Sequence, residues 1–382
     1  AISECELLIH PNVLNVFVPG IVSCWGLVHM FPNVRFLKNA WYVAALSTEL
    51  TEEDLFSRKL LNETVLFYRR KNGEPVALKD RCPHRFAPLS MGKREGDQIR
   101  CQYHGLAFDE TGTCTDNPHG NGRIPKACKV RQYPVHERDG FIWIWMGDPQ
   151  QADIAKVRNL SLYSENPSTA VGHAYMHNEC PYDLIVDNVM DLSHVDHLHG
   201  PLINTAGKLS PQIPQVRELD DNRVSIGWSW EADSAMLLFQ EHLPRPQGKA
   251  DQYIEVIWQA PANMTLTVGA VQDSDDYHRD GVVLYDFHAM TPETDTTTHY
   301  FFASSRNYKM EDGDYNEAKM AGMLQAFLEE DKPVIEAQYR EMGGDDFWAL
   351  DPVLLSSDAG GLRVRRVLEK LIDQEQPAST PS

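Results

Sequence analysis

The sequence has no basic run. Its 35 Lys and Arg stand against 55 Asp and Glu, for a formal net charge of −20. That balance argues against nucleic acid or an anionic membrane surface as partner. It leaves a small-molecule substrate open, because the charge of a pocket is local. Cysteine is sparse, with seven residues at positions 5, 24, 82, 101, 114, 128 and 180. An odd, scattered set is no disulfide framework and fits a reducing, cytoplasmic setting. A clean apolar run of spanning length is also missing. Residues 13–31 are fairly apolar, but Asn15, Pro19, Gly20 and His29 interrupt them and Glu4 and Glu6 precede them. Those features suit neither a signal peptide nor a transmembrane helix. Residues 1–35 are therefore expected to be an atypical, disordered extension, with Met30 as a plausible natural start. No internal repeat occurs. The one low-complexity stretch, from Asp373 to Ser382, is expected to be a disordered tail.

What is present suits two domains. The chain has 382 residues, 42% apolar and 24% charged, enough for a sizeable core. From residue 36 to about 150 it reads as short strands joined by tight turns. TVLFYRR (64–70) and EPVALKD (74–80) flank Gly73, and YPVHER (133–138) and FIWIWMG (141–147) flank Asp139-Gly140. Both are hairpin signals. From 151 to 372 the texture changes. A helical stretch covers residues 182–199, and strands are predicted at 223–230, 253–258, 263–271, 281–290 and 298–305. A long helix follows, capped by Asp314 with Glu317. This predicts an all-β domain (36–150) docked on an α+β domain (151–372) built from an antiparallel sheet packed by helices.

The first domain holds a distinctive set of donors. In DRCPHRFAPLSMGKREGDQIRCQYHG (80–105), Cys82 and His84 form one arm and Cys101 and His104 the other. Structural zinc sites favour knuckles that present two thiolates from one turn. Here each arm offers one thiolate and one imidazole. Such a set suits a Rieske [2Fe–2S] centre, with two Cys on one iron and two His on the other. Zinc is the alternative. Cys114, Cys128 and Cys180 read as inert core residues.

The segments CPHRFAPLS, CQYHGLAFD, NPHGNG, NAWYVAAL (39–46) and FIWIWMGDP (141–149) resemble Rieske non-haem iron oxygenases, in particular the vanillate and dicamba O-demethylase branch. The resemblance runs from about Phe36 to Leu371. It implies a helix-grip (START-like) catalytic domain and a mononuclear Fe(II) held by two His and one carboxylate, which leaves positions open for O2.

Candidate donors lie in DLIVDNVMDLSHVDHLHG (183–200). Helical geometry alone pairs His194 with His197, three apart on one face. His194 and His199 stand about 140° apart on a regular helix and need a bend or a helix end to share a metal. The resemblance, through the pattern D-N-x-x-D-x-x-H-x4-H, instead maps the ligands to His194 and His199. It puts Asn188 beside the iron and makes Asp191 an acid bridging His104 of one subunit to His194 of its neighbour. A helical wheel over 320–338 places Asp331 near the middle of an apolar stripe, Glu330 at its edge and Glu329 opposite. A lone inward acid needs a compensating cation. The pattern E-D-x-x-x-x-E-A supports Asp331 as the third ligand, and an Asp turned to solvent at a break before Pro333 is the alternative.

The resemblance further implies a homotrimer, with electrons from an NAD(P)H-dependent reductase, with or without a ferredoxin. No G-x-G-x-x-G motif is present to bind a dinucleotide within the chain. The expected reaction is O-demethylation of a vanillate-like methoxylated aromatic acid. An aromatic ring hydroxylase or dioxygenase is the alternative, and a Rieske electron-transfer protein a more distant one. The resemblance puts a substrate contact at His288, which on burial habits alone reads equally as a satisfied sheet histidine. It puts Leu266 where dicamba enzymes have Asn, which argues against dicamba itself.

Overall fold

A computed structural model describes residues 36–375. The expected N-terminal extension lies outside the described residues, as do positions 376–382. No helix among the described residues is long and apolar enough to cross a membrane.

Three small antiparallel sheets form the first half. One joins Trp41–Leu46, Phe141–Trp145 and Val135–Arg138. A second runs Phe56–Leu60, Glu63–Arg69, Pro75–Lys79 and Gln132–Tyr133. The third comprises Lys93–Glu95, Gln98–Arg100, Ala107–Phe108 and Cys114–Asp116. Both predicted hairpins form where the turn residues allow positive φ: Gly73 at 86°, and Asp139 and Gly140 at 56° and 84°.

The second half is built on a seven-stranded antiparallel sheet. Its spatial order is Gly172–Asn178, Thr298–Arg306, Val282–Pro292, Asn263–Val271, Lys249–Gln259, Arg223–Ser234 and Gln215–Leu219. The five strands read from the sequence are all there. The two edge strands, Gly172–Asn178 and Gln215–Leu219, were not anticipated. GHAYMHN and QVREL are short and mostly polar, and they alternate too weakly to signal a strand.

Period-2 alternation sorts the sheet's faces. On Val282–Pro292, Phe287 and Ala289 pack in a shared core with Trp41, Phe141 and Trp143 of the first half. The Phe141 and Phe287 ring centroids are 5.3 Å apart. Leu284, Asp286 and His288 point to the other face, where a cavity lies. Thr291 Oγ1 donates to the Val43 carbonyl at 2.7 Å, and Asn263 Nδ2 to the Trp41 carbonyl at 3.2 Å. The two halves are docked, as expected.

The helices meet one expectation, the bend or helix end that His194 and His199 need, and depart from the sequence reading in two other places. Tyr182–Met190 ends at Asp191, and a 3₁₀ turn (Leu192–His194) and a short helix (Val195–Leu198) follow. Gly313–Ala326 is capped by Asp312, whose carboxylate accepts from the Tyr315 amide at 2.9 Å, rather than by Asp314. An Asp two residues earlier reaches the free amides of the first turn. Finally, the wheel drawn over 320–338 assumed one regular helix, but Phe327–Asp331 is a π turn leading into Lys332–Glu341. Pro333 has no N–H to return to the Glu329 carbonyl, and the chain takes wider bonds there.

The closing helix Ala359–Glu375 runs three residues into the expected tail. Its last residue, Glu375, accepts the Lys38 amide at 2.8 Å and the Asn39 amide at 2.5 Å.

Candidate metal centres and active-site cavity

Two similar loops present the Cys/His arms. In each, the Cys amide donates to the carbonyl five residues on, Cys82 to Ala87 at 2.9 Å and Cys101 to Leu106 at 2.8 Å. In each, the amide four residues on returns to the Cys carbonyl, Phe86 to Cys82 and Gly105 to Cys101, both at 2.9 Å. That closure needs positive φ at the fourth position, 60° at Phe86 and 75° at Gly105. A Cβ on Gly105 would also stand 2.9 Å from Pro118 Cγ. Asp80 braces the first loop by accepting the Ser90 amide at 2.7 Å, the Ser90 hydroxyl at 2.6 Å and the Ser57 hydroxyl at 2.8 Å.

The loops sort the ligands by depth. Cys82 and Cys101 are buried, while His84 is exposed and His104 partly so, with ring centroids 4.4 Å apart. Burial pushes the Cys82 thiol up to about 11, and Cys101 beside it adds to the rise. Two adjacent buried thiolates require cationic compensation, which iron supplies. Thiolates inside and imidazoles at the surface fit a cluster whose histidine end meets an electron-transfer partner. Cys114 and Cys180 are buried in the core, as expected, whereas Cys128 is only half-buried against it.

The second constellation sits at the mouth of the large sheet. His194, His199 and Asp331 bring one ligand atom each within 4.8 Å of one another. Asp331 Oδ1 lies 3.4 Å from His194 Nε2, and its Oδ2 lies 3.5 Å from His199 Nε2. The break at Asp191 and the helix end at His199 turn both imidazoles to one side, which a continuous helix would not do. His197 points away, to Ser210 Oγ at 2.9 Å. The π turn aims Asp331 inward, with 7% of its surface exposed, which disfavours the solvent-facing alternative. Asn188 Nδ2 approaches Asp331 Oδ1 at 3.3 Å.

The outer nitrogens are held as well. His194 Nδ1 faces the Asp191 carbonyl at 2.5 Å, and His199 Nδ1 faces Glu330 Oε2 at 2.6 Å. Each contact fixes Nδ1–H and leaves the Nε2 lone pair for a metal. Burial pulls His194 down, but Asp331 and the Asp191 carbonyl outweigh it and the net direction is up. Two imidazoles sharing one buried carboxylate are the donor set of a divalent metal with open positions.

Two residues differ from the sequence reading. Glu330, placed at the stripe's edge and given no role, orients His199. Asp191 touches His194 through its carbonyl only. Its carboxylate instead caps the next turn, accepting the Ser193 amide at 3.0 Å and the Ser193 hydroxyl at 2.6 Å.

The centre opens on a cavity of about 100 Å³ walled mainly by aliphatic and aromatic side chains, among them Leu266, Val268, Leu284, Met323 and Phe327. His288, Asp286, Tyr300 and Asn178 are the polar exceptions on the sheet side. His288 is 1% exposed, its Nδ1 lies 2.7 Å from the Tyr300 hydroxyl, and its Nε2 has no partner. Burial pushes it down to about 3, so it is neutral at physiological pH.

Comparison with known proteins agrees with this geometry. Residues 40–134 match the Rieske [2Fe-2S] domain, and residues 178–374 match the vanillate O-demethylase oxygenase C-terminal domain. The chain is 39% identical over 344 residues to the oxygenase component of chloroacetanilide N-alkylformylase from Rhizorhabdus wittichii, covering 89% of this chain and 97% of that protein. The chain belongs to the Rieske non-haem iron oxygenases. It is also 36% identical to the oxygenase component of dicamba O-demethylase from Stenotrophomonas maltophilia, covering 88% of this chain and 98% of the relative. A crystal structure of dicamba monooxygenase bound to 3,6-dichlorosalicylic acid superposes with a TM-score of 0.81 at 34% identity, covering 89% of this chain and 99% of that one. As a Rieske oxygenase, this protein carries a [2Fe–2S] cluster and a mononuclear iron.

Proposed function

We propose that this Rieske oxygenase O-demethylates a methoxylated aromatic ring, with Cys82, His84, Cys101 and His104 holding the cluster and His194, His199 and Asp331 holding the mononuclear iron. The observation that carries the reading is the His194–His199–Asp331 set lining a largely apolar cavity. The division at residue 150 is retained, since every strand of the three small sheets precedes it.

Bound iron would supply the activation of O2. The chain's own side chains do the rest. The apolar wall holds an aromatic ring and excludes water, which strengthens the few polar contacts inside. His288 offers Nε2 to orient the ring. Asn188 lies against Asp331 and steadies its carboxylate. The overall change is balanced: one oxygen atom enters a methoxy C–H bond, the other leaves as water, and two electrons and two protons are consumed. The resulting hemiacetal collapses to a phenol and formaldehyde.

A separate NAD(P)H-dependent reductase, directly or through a ferredoxin, would deliver the electrons. The assembly would be a head-to-tail homotrimer in which His104 of one subunit meets Asp191 of the next. Among the described residues the Asp191 carboxylate accepts hydrogen bonds from Ser193 alone, which supports a second partner across an interface.

The test is a single turnover. Chemically reduced protein is mixed with O2 and a panel of methoxylated aromatics, and formaldehyde and product masses are measured. Formaldehyde with a demethylated product is expected. A hydroxylated ring without formaldehyde would replace O-demethylation with ring hydroxylation.

A further inference from the structure

Asp286 is a buried carboxylate for which the metal centre has no use. It is 2% exposed and lines the cavity, and its Oδ1 has no hydrogen-bond partner. It stands two residues from His288 on the same face of Val282–Pro292, about 7 Å along the strand, and the His288 Nε2 is likewise unpartnered. Its cross-strand neighbours are Leu266 and Ser304. Lys319, on the helix behind, donates Nζ to Ser304 Oγ at 2.6 Å. Burial raises Asp286 and lowers Lys319, and each draws the other toward its charged form. The carboxylate thus has Ser304 and Lys319 beside it and keeps one buried, unpartnered oxygen on a residue that lines the cavity.

We propose that Asp286, with His288 beside it, selects an uncharged aromatic substrate bearing an O–H or N–H donor, and that it excludes aromatic carboxylates. The inference rests on the oxygenase reading of the same cavity and replaces the vanillate-like acid expected from the sequence.

Three observations support it. Among the described residues, the cavity wall offers no free cation to a substrate carboxylate. His288 is neutral, and Lys332 is turned to the His177 carbonyl at 2.7 Å and to Glu336 at 3.7 Å. Leu266, directly opposite Asp286, has no donor to offer an acid. In its charged form, which Lys319 favours, Asp286 would itself repel a carboxylate in a largely apolar cavity, where such repulsion is weakly screened. A donor on the ring, by contrast, would satisfy the unpartnered oxygen, and a buried polar atom left unpaired discriminates strongly between near-identical substrates. A third unpartnered atom lining the cavity, Asn178 Nδ2, lies six strand positions from the row of Asp286, too far to share its substituent.

The test measures binding separately from chemistry. Matched methoxyphenols and methoxybenzoates, together with dimethoxybenzenes that lack a donor, are titrated calorimetrically into the reduced, anaerobic holoenzyme. The best methoxyphenol should bind at least tenfold more tightly than its benzoate and its dimethoxy counterpart. Asp286→Asn should narrow the phenol-to-benzoate ratio at least fivefold. Should the unbalanced Lys319 prevent that variant from folding, Asp286→Asn/Lys319→Met removes both charges and should narrow it likewise. Benzoates binding as tightly as phenols in the wild type, or a ratio unchanged in a folded variant, would overturn the proposal. Selective phenol binding without formaldehyde would remove O-demethylation and leave the role of Asp286 standing.

Discussion

Glu330 gives the candidate iron site its direction. His199 is almost wholly buried, and the 2.6 Å contact from its Nδ1 to Glu330 leaves Nε2 facing Asp331. Glu330→Gln keeps an acceptor but removes the charge, and iron affinity should fall about 10- to 100-fold. Iron titration of metal-stripped protein would show this, while the visible spectrum of the cluster stays unchanged. Asp191 makes a contrasting case. Its carbonyl fixes His194 and its carboxylate caps Ser193, and Asn can preserve both contacts. Asp191→Asn should therefore retain both metals and still lose about 10- to 100-fold in turnover. Wild-type turnover with full metal content would refute a bridging role for the carboxylate.

The helix that carries Asn188 and leads into His194 is anchored from the far end of the chain. Arg365 on Ala359–Glu375 bonds Asp183 at 2.8 Å and Asp187 at 3.0 and 2.5 Å, tying this last helix to Tyr182–Met190. Burial pushes Asp187 up to about 6, with Arg365 opposing the rise. Arg365→Ala should cost about 2–3 kcal/mol at neutral pH, reduced from a fully buried pair because both partners keep some solvent contact. The sign with pH follows. An acid whose folded pKa is raised is destabilising when ionised, and loss of Arg365 raises it further. The deficit should thus be largest above the raised pKa of the variant and shrink as pH falls toward about 6 and below, where Asp187 holds a proton in both proteins. Melting curves of the two proteins across that range would test both size and direction.

Across the whole assembly, the arrangement predicts complementation. One inactive chain would carry Cys101→Ser and lack the cluster, and another would carry Asp331→Ala and lack the iron. If the proposed trimer forms and electrons pass between its neighbouring subunits, mixed assemblies of the two should recover a measurable fraction of wild-type turnover, while each variant alone stays inactive. Mixed trimers without activity would place the transfer within one chain and remove the reason for a head-to-tail assembly.

Much of this was legible in residue order because its determinants are local. Cys82, His84, Cys101 and His104 fall on two tight loops whose spacing carries the cluster chemistry. Gly73 and Asp139-Gly140 mark hairpins because the turns need positive φ. The five sheet strands with strong alternation could be read from 223 onward, whereas Gly172–Asn178 and Gln215–Leu219 are strands only because neighbours pair with them. Folding settled what a regular helix could not. The break at Asp191 turns His194 and His199 together and sets His197 aside, and the π turn before Pro333 points Asp331 and Glu330 into the same site. Asp286 shows the limit most clearly. Alternation in LYDFHAM puts it on one face with His288, a signal present in the sequence. Only the sheet and the helix bearing Lys319 make that face the wall of a cavity, because burial is a property of what lies across from a residue and not of the residues beside it in the chain.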